Sequence, residues 1–174
     1  MTEELYKGNL KIPIGISSCL LGERVRYDGG HKGHSYITGT LGNYFEFQPF
    51  CPEVAIGLGI PRKPIRLWRN EKKKIRCVSA SDSNLDFTEQ LENCGDAQYD
   101  WHKHLCGYIL KKDSPSCGME RVKIWDDVMP KREGVGVYAD KLIQNFPYLP
   151  IEEEGRLGDA ILRENFIQRV FAMH

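Results

Sequence analysis

The sequence predicts an α/β fold, a three-layer sandwich with a mainly parallel sheet. Short apolar runs rich in β-branched or aromatic residues alternate with stretches of helical periodicity. Gly, Pro, Ser and Asn punctuate the boundaries between them. A length of 174 residues, 41% apolar and 28% charged, suits one ordinary folded core.

Residues 11–17, containing Ile12, Ile14 and Ile16 and bounded by Ser18 and Gly22, read as a buried strand. Residues 36–44 predict a short helix, weakened by Gly39 and Gly42. Alternation of aromatic and polar residues over 44–50 predicts a second strand. Residues 51–64 are too broken by Pro and Gly for a long element. Strands are expected at 66–69 and 74–79, as a hairpin turning near Asn70 and Glu71. Helical spacing runs over 84–105, with Gly95 as a possible break, and residues 107–111 form a further strand. A loop covers 112–118, a helix 135–146 ends before Pro147, and 157–173 is amphipathic, with Ile161, Leu162, Phe166, Val170 and Phe171 on one side.

Lys and Arg total 24, as do Asp and Glu, so overall charge points to no polyanionic partner. Its distribution does. From Arg62 to Arg76 eight of fifteen positions are Lys or Arg, and Glu71 is the sole acid. A solvated face is the ordinary reading of such a run. Arg62 and Arg66, directly after the Cys51 loop, are candidates for a substrate's phosphate, and Trp68 between arginines suits RNA stacking. No run of eighteen apolar residues exists, which excludes a membrane span, and residues 1–10 lack an apolar signal core. A cytoplasmic location follows as the expectation.

The six cysteines would then stay reduced, so packing, metal ligation or catalysis is expected of them rather than disulfides. Cys19, Cys51 and Cys117 share one context, each in a loop after a predicted strand and near Gly or Pro. Ligands in open α/β sheets bind outside the carboxyl ends of strands, where three such thiols can converge. Thiolates in tight loops suit iron–sulfur clusters. Zinc is the rival, although the paired C-x₂₋₄-C spacing of structural zinc is missing. Spacing alone leaves both open. Cys77, Cys94 and Cys106 fall within regular elements and read as packing residues.

Five blocks then carry a resemblance: ISSCLLG at 16–22, VRYDG at 25–29, FCPE at 50–53, GIPR at 59–62 and SPSCG at 114–118. In this order and spacing, over about residues 12–150, they resemble the thiouracil desulfidase (TudS-like) family. The resemblance implies a [4Fe–4S] cluster held by Cys19, Cys51 and Cys117, with one iron open to the sulfur of a thiolated uracil. It implies conversion of thiocarbonyl to carbonyl by hydrolysis, with no net redox change.

Such chemistry needs an acid/base group beside the metal. Glu53, two residues after Cys51, is the first candidate for general base. Asp28 is the second carboxylate, although Asp before Gly also describes a plain turn. Ser114 and Ser116 can donate hydrogen bonds to the base or the cluster, and Lys111 or Lys112 can stabilise negative charge.

Residues 1–150 are expected to form the desulfidase domain, and 151–174 a helical extension. That extension resembles the junction to a second helical domain, which is expected to be absent from this chain. Fused relatives imply thiouridine in tRNA as substrate; stand-alone relatives imply free thiouracil or its nucleotide. The alternative to an enzyme is an RNA-binding module that uses the Arg62–Arg76 segment without catalysis.

Overall fold

The structure, a computed structural model, describes residues 10–174. The segment 1–9, most of the stretch read as lacking a signal core, lies outside the described residues. In chain order the strands are β1 (Ile12–Ser17), β2 (Phe45–Phe50), β3 (Ile65–Arg69), β4 (Ile75–Ser79), β5 (Gly107–Leu110), β6 (Val122–Trp125), β7 (Lys131–Gly134) and β8 (Ile151–Glu153). The helices are α1 (Pro52–Ala55), α2 (Thr88–Ala97), α3 (Tyr99–His102), α4 (Val137–Asn145) and α5 (Ala160–Met173).

Sheet A has the order β2-β1-β5-β8, and every neighbouring pair is parallel. The central strands β1 and β5 are apolar on both faces because both faces are covered. Ile12, Ile14, Ile16 and Ile109 pack with Phe166 and Val170 of α5 and with Ile37 and Leu41. Tyr108, Leu110 and Ile151 pack on the other side with Tyr138, Ala139 and Leu142 of α4. Gly15 is required where the two central strands meet, since a Cβ there would stand 2.4 Å from the Tyr108 ring. This is the mainly parallel α/β architecture expected from the sequence.

Sheet B has the order β4-β3-β6-β7: two antiparallel pairs joined by the parallel pair β3–β6. Leu67, Cys77, Val122 and Ile124 bury one face against Leu91 of α2. Trp68 and Trp125, partners in the β3–β6 register, are half-buried outside that core.

Five expected strands coincide with β1 to β5 to within a residue or so. The expected helix at 84–105 is two helices, α2 and α3, separated at Gln98 rather than at Gly95. Gly95 stays helical and lets Lys141 of α4 approach. Residues 36–44 form a wide π-type turn, Tyr36–Thr40, and a 3₁₀ turn, Leu41–Asn43, instead of one helix. Strands β6, β7 and β8, of three or four residues each, were not expected. Residues 151–153, placed at the start of the C-terminal extension, form the edge strand β8 of sheet A.

Candidate active site

Because all four strands of sheet A run the same way, their carboxyl ends share one edge. Each delivers side chains there. Strand β1 ends in Ser17 and leads into Cys19; β2 leads into Cys51 and, on α1, Glu53. Strand β5 leads into the loop 111–117, and β8 into Glu154. All of them line one cavity of about 700 Å³. Its size falls in the range usual for small-molecule sites.

Cys19 and Cys117 are buried and Cys51 is half-buried, and all six cysteines are free thiols. Burial raises the pKa of all three, and Cys51 raises the other two further through its own charge. The Val54 and Glu53 amides, at the start of α1, oppose this for Cys51 by donating toward its sulfur. The Ser17 hydroxyl accepts from the Lys111 amide at 3.0 Å and turns its own proton toward Cys117. Three thiols in one cavity, with N–H and O–H donors aimed at sulfur, fit an iron–sulfur cluster, whose metal would hold them as thiolates. Among the described residues no three His, Cys, Asp or Glu side chains stand in the close grouping that a single metal ion requires. Ligands of three different irons do not need that grouping.

Glu53 is the hub of the polar groups. Its Oε2 accepts from Ser116 Oγ at 2.7 Å and its Oε1 from Arg62 Nε at 3.2 Å. Ser114 Oγ lies 3.0 Å from Ser116 Oγ and accepts from the Cys117 and Ser116 amides at 3.0 and 3.3 Å. A hydroxyl has one proton, so these contacts fix a direction: Ser114 donates to Ser116, which donates to Glu53. Cys117 Sγ, 3.7 Å from Ser116 Oγ, loses that competition to the carboxylate.

The Cys117 loop is clamped from behind by the start of α4. The amides of Gly136, Val137 and Ala139 donate to the carbonyls of Gly118, Pro115 and Ser116 at 2.7, 3.1 and 3.1 Å. A Cβ at Gly136 would lie 2.5 Å from the Ser116 carbonyl carbon, so only glycine permits this contact.

Of the residues expected at the site, Cys19, Cys51, Cys117, Glu53, Arg62, Ser114, Ser116 and Lys112 line the cavity, with Lys111 beside them. Asp28 does not line it. Its exposed carboxylate accepts from the Gly30 amide at 2.9 Å, the turn that Asp-Gly favours, and that amide holds its pKa below the usual range. Arg62 was expected to meet phosphate; its guanidinium, 5% exposed, is instead engaged by Glu53 and by the Gly59 carbonyl at 2.9 Å. Arg66 lies outside this cavity, with its guanidinium over the rings of Trp68 and Trp125. Lys112 is exposed, whereas the half-buried Lys111 donates from Nζ to Oε1 of the buried Glu154 at 2.7 Å.

Residues 14–154 match the 2-thiouracil desulfurase family model. The chain belongs to the 2-thiouracil desulfurase family. No curated protein matches it. Among solved structures it is similar to the [4Fe-4S]-dependent thiouracil desulfidase TudS, with 30% sequence identity and a TM-score of 0.67 over 89% of this chain and 99% of that one.

Among the lining residues of this desulfurase-family chain that were not singled out in the sequence are Arg26, Lys32, His34 and Glu154. Arg26 stood in the VRYDG block, beside the Asp28 that drew attention. Arg26 Nε and His34 Nδ1 are buried without a hydrogen-bond partner among the described residues. Nothing local in the sequence marks His34 or Glu154; the first is placed by the hydrogen bond its backbone N–H donates to the Leu20 carbonyl, the second by pairing of β8.

Proposed function

We propose that the protein is an iron–sulfur-dependent desulfidase, which converts the thiocarbonyl of a thiolated uracil to a carbonyl by hydrolysis without net redox change. The observation that carries this reading is the convergence, in one cavity, of three free thiols with a hydrogen-bonded Ser114–Ser116–Glu53 chain. Cys19, Cys51 and Cys117 would hold a [4Fe–4S] cluster. When bound, it supplies a Lewis-acidic iron, free of protein ligands, that polarises the carbon–sulfur bond.

The remaining chemistry belongs to the chain. Glu53 takes a proton from the attacking water, and Ser116 and Arg62 hold its two oxygens so that the carboxylate is fixed during transfer. Ser114 orients Ser116 through a hydroxyl that its own loop amides lock. The Lys111 ammonium, held by Glu154 and the Lys112 carbonyl, has a third N–H to offer the charge that develops on the ring. The exposed Lys112 adds positive charge at the rim.

The substrate class is a thiolated uracil: thiouridine in tRNA, free thiouracil or its nucleotide. Among the described residues no helix is long and apolar enough to cross a membrane, and we place the reaction in the cytoplasm. Anaerobic reconstitution with iron, sulfide and absorbance analysis, followed by assay of sulfide from thiouracil and thiouridine, tests the proposal. A brown protein that releases sulfide supports it. Colourless, iron-free protein overturns it, as does a loaded protein that only binds RNA.

A further inference from the structure

Two side chains of the active-site cavity, His34 and Arg26, stand apart from the Ser114–Ser116–Glu53 chain. His34 is fastened beside a cysteine of the candidate ligand set. The Lys32 and His34 amides donate to the Cys19 and Leu20 carbonyls at 2.9 and 3.0 Å, which ties this loop to the turn carrying Cys19. Gly33 lies against the end of that turn, where a Cβ would stand 3.4 Å from the Gly22 Cα.

The two nitrogens of the His34 ring differ in their surroundings. Nδ1 is buried with no hydrogen-bond partner among the described residues. A bare lone pair is easier to bury than a bare N–H, so the neutral ring carries its proton on Nε2. That nitrogen is not buried, no described group accepts from it, and the ring lines the cavity. Arg26 repeats the pattern, with Nε buried and unpartnered among the described residues while its terminal nitrogens stay open. Burial raises the Cys19 pKa and the Arg26 charge opposes that rise, so the guanidinium stands within electrostatic reach of the sulfur.

The acids that line the cavity are already engaged. Ser116 and Arg62 hold Glu53, Arg132 holds Asp113, and Lys111 with the Lys112 amide holds Glu154. The donors on His34 and Arg26 therefore meet their acceptor only in a ligand. On a uracil ring the N–H groups donate and the carbonyl oxygens accept.

We propose that His34, through Nε2–H, and Arg26, through its guanidinium, bind the ring carbonyl that does not face the cluster, and so select a uracil over pyrimidines lacking that carbonyl. The inference rests on the uracil reading of the cavity. A carbonyl oxygen has two lone pairs, one for each donor. A ring without this oxygen leaves both donors unmet, and that loss is the source of the selection.

Isothermal titration of the cluster-loaded protein with uracil, 2-pyrimidinone and 4-pyrimidinone tests this, because none of the three carries a thiocarbonyl to turn over. Each pyrimidinone keeps one of uracil's two carbonyls. Uracil is expected to bind about tenfold more tightly than the one that lacks the oxygen at His34. His34→Leu is expected to erase that gap while the melting temperature holds, since it also removes a buried unmet nitrogen. His34→Gln, whose amide N–H can stand in for Nε2–H, is expected to keep part of the gap, and Arg26→Gln to narrow it. Equal affinities, or a gap that survives His34→Leu, would overturn the proposal. So would a gap lost equally in His34→Leu and His34→Gln with a lower melting temperature in both, which marks packing rather than contact. An unchanged gap in Arg26→Gln removes Arg26 from the contact. Sulfide release from thiouracil, measured in parallel, keeps the two readings apart. Release with equal affinities removes only this contact; a gap without release removes only the desulfidase.

Discussion

Sheets A and B have four strands each, but only sheet A concentrates reactive groups at an edge. Its uniformly parallel strands bring four carboxyl ends together, so Cys19, Cys51, the Cys117 loop and Glu154 meet although they are far apart in sequence. Sheet B joins two antiparallel pairs, so its strand ends point both ways and gather nothing. It offers a face instead, on which Arg66, Trp68, Lys123 and Trp125 lie side by side. Topology thus accounts for the difference: parallel strands gather reactive groups at an edge, and mixed strands do not.

Cysteine exchange gives the largest expected contrast between the sheets. Alanine at Cys19, Cys51 or Cys117 should reduce bound iron to near zero after reconstitution. Cys77→Ala in sheet B and Cys94→Ala in α2 should keep it. Cys77 is fully buried, so its loss leaves a small cavity and lowers the melting temperature while iron content holds. Iron retained without Cys51 would remove that residue from the ligand set.

Glu53→Gln comes next. The amide still accepts from Ser116 but cannot take a proton, so iron binding should persist while turnover falls on the order of 10²–10³-fold. Wild-type rates would take the base role from Glu53. Arg62→Gln removes a partner of Glu53 rather than the base, and a drop of about tenfold is expected.

The same contrast explains what the sequence made legible. Strands β1, β2 and β5 of sheet A are either buried on both faces or carry regular aromatic alternation, so composition reveals them. Their following loops were therefore placed correctly, and with them the three cysteines and Glu53. Strand β7, KREG, holds no apolar side chain, and β8 is three residues beside a run of glutamates; both exist through their partners alone. Missing β8 hid Glu154 and hence the anchor of Lys111. Arg62 and Asp28 show another limit: residue type suggested phosphate binding and catalysis, but the nearest partner, Glu53 or the Gly30 amide, decides what each group does.

The clamp between α4 and the Cys117 loop yields a smaller effect. Gly136→Ala would press a methyl onto the Ser116–Cys117 peptide, so the loop must shift, at about 1–3 kcal/mol. Reduced cluster retention on dilution is expected along with a lower melting temperature. Gly158→Ala, where a Cβ meets nothing within 4 Å, should change neither. Equal behaviour of the two variants would show that the clamp does not hold the ligand loop.

The smallest effect lies at the β8 edge, where burial raises Glu153 to about 7 although the Met119 amide, at 3.0 Å, pulls it down. Between the ordinary carboxylate range and pH 7 the folded protein therefore holds a proton that the unfolded chain has released. Stability falls as pH rises through that window and levels off above it. His102 works in the opposite sense. Burial lowers it to about 4, so between pH 4 and 6.5 the unfolded chain binds the extra proton and stability rises with pH. The two slopes offset each other from about pH 5 to 6.5. Removing the titrating group with Glu153→Gln should expose the rising His102 slope. The melting-temperature difference between variant and wild type should then grow in the variant's favour from pH 5 to 7 and stay constant above it. A difference independent of pH would mean that Glu153 does not titrate in this range, and that the edge of sheet A holds its glutamates charged.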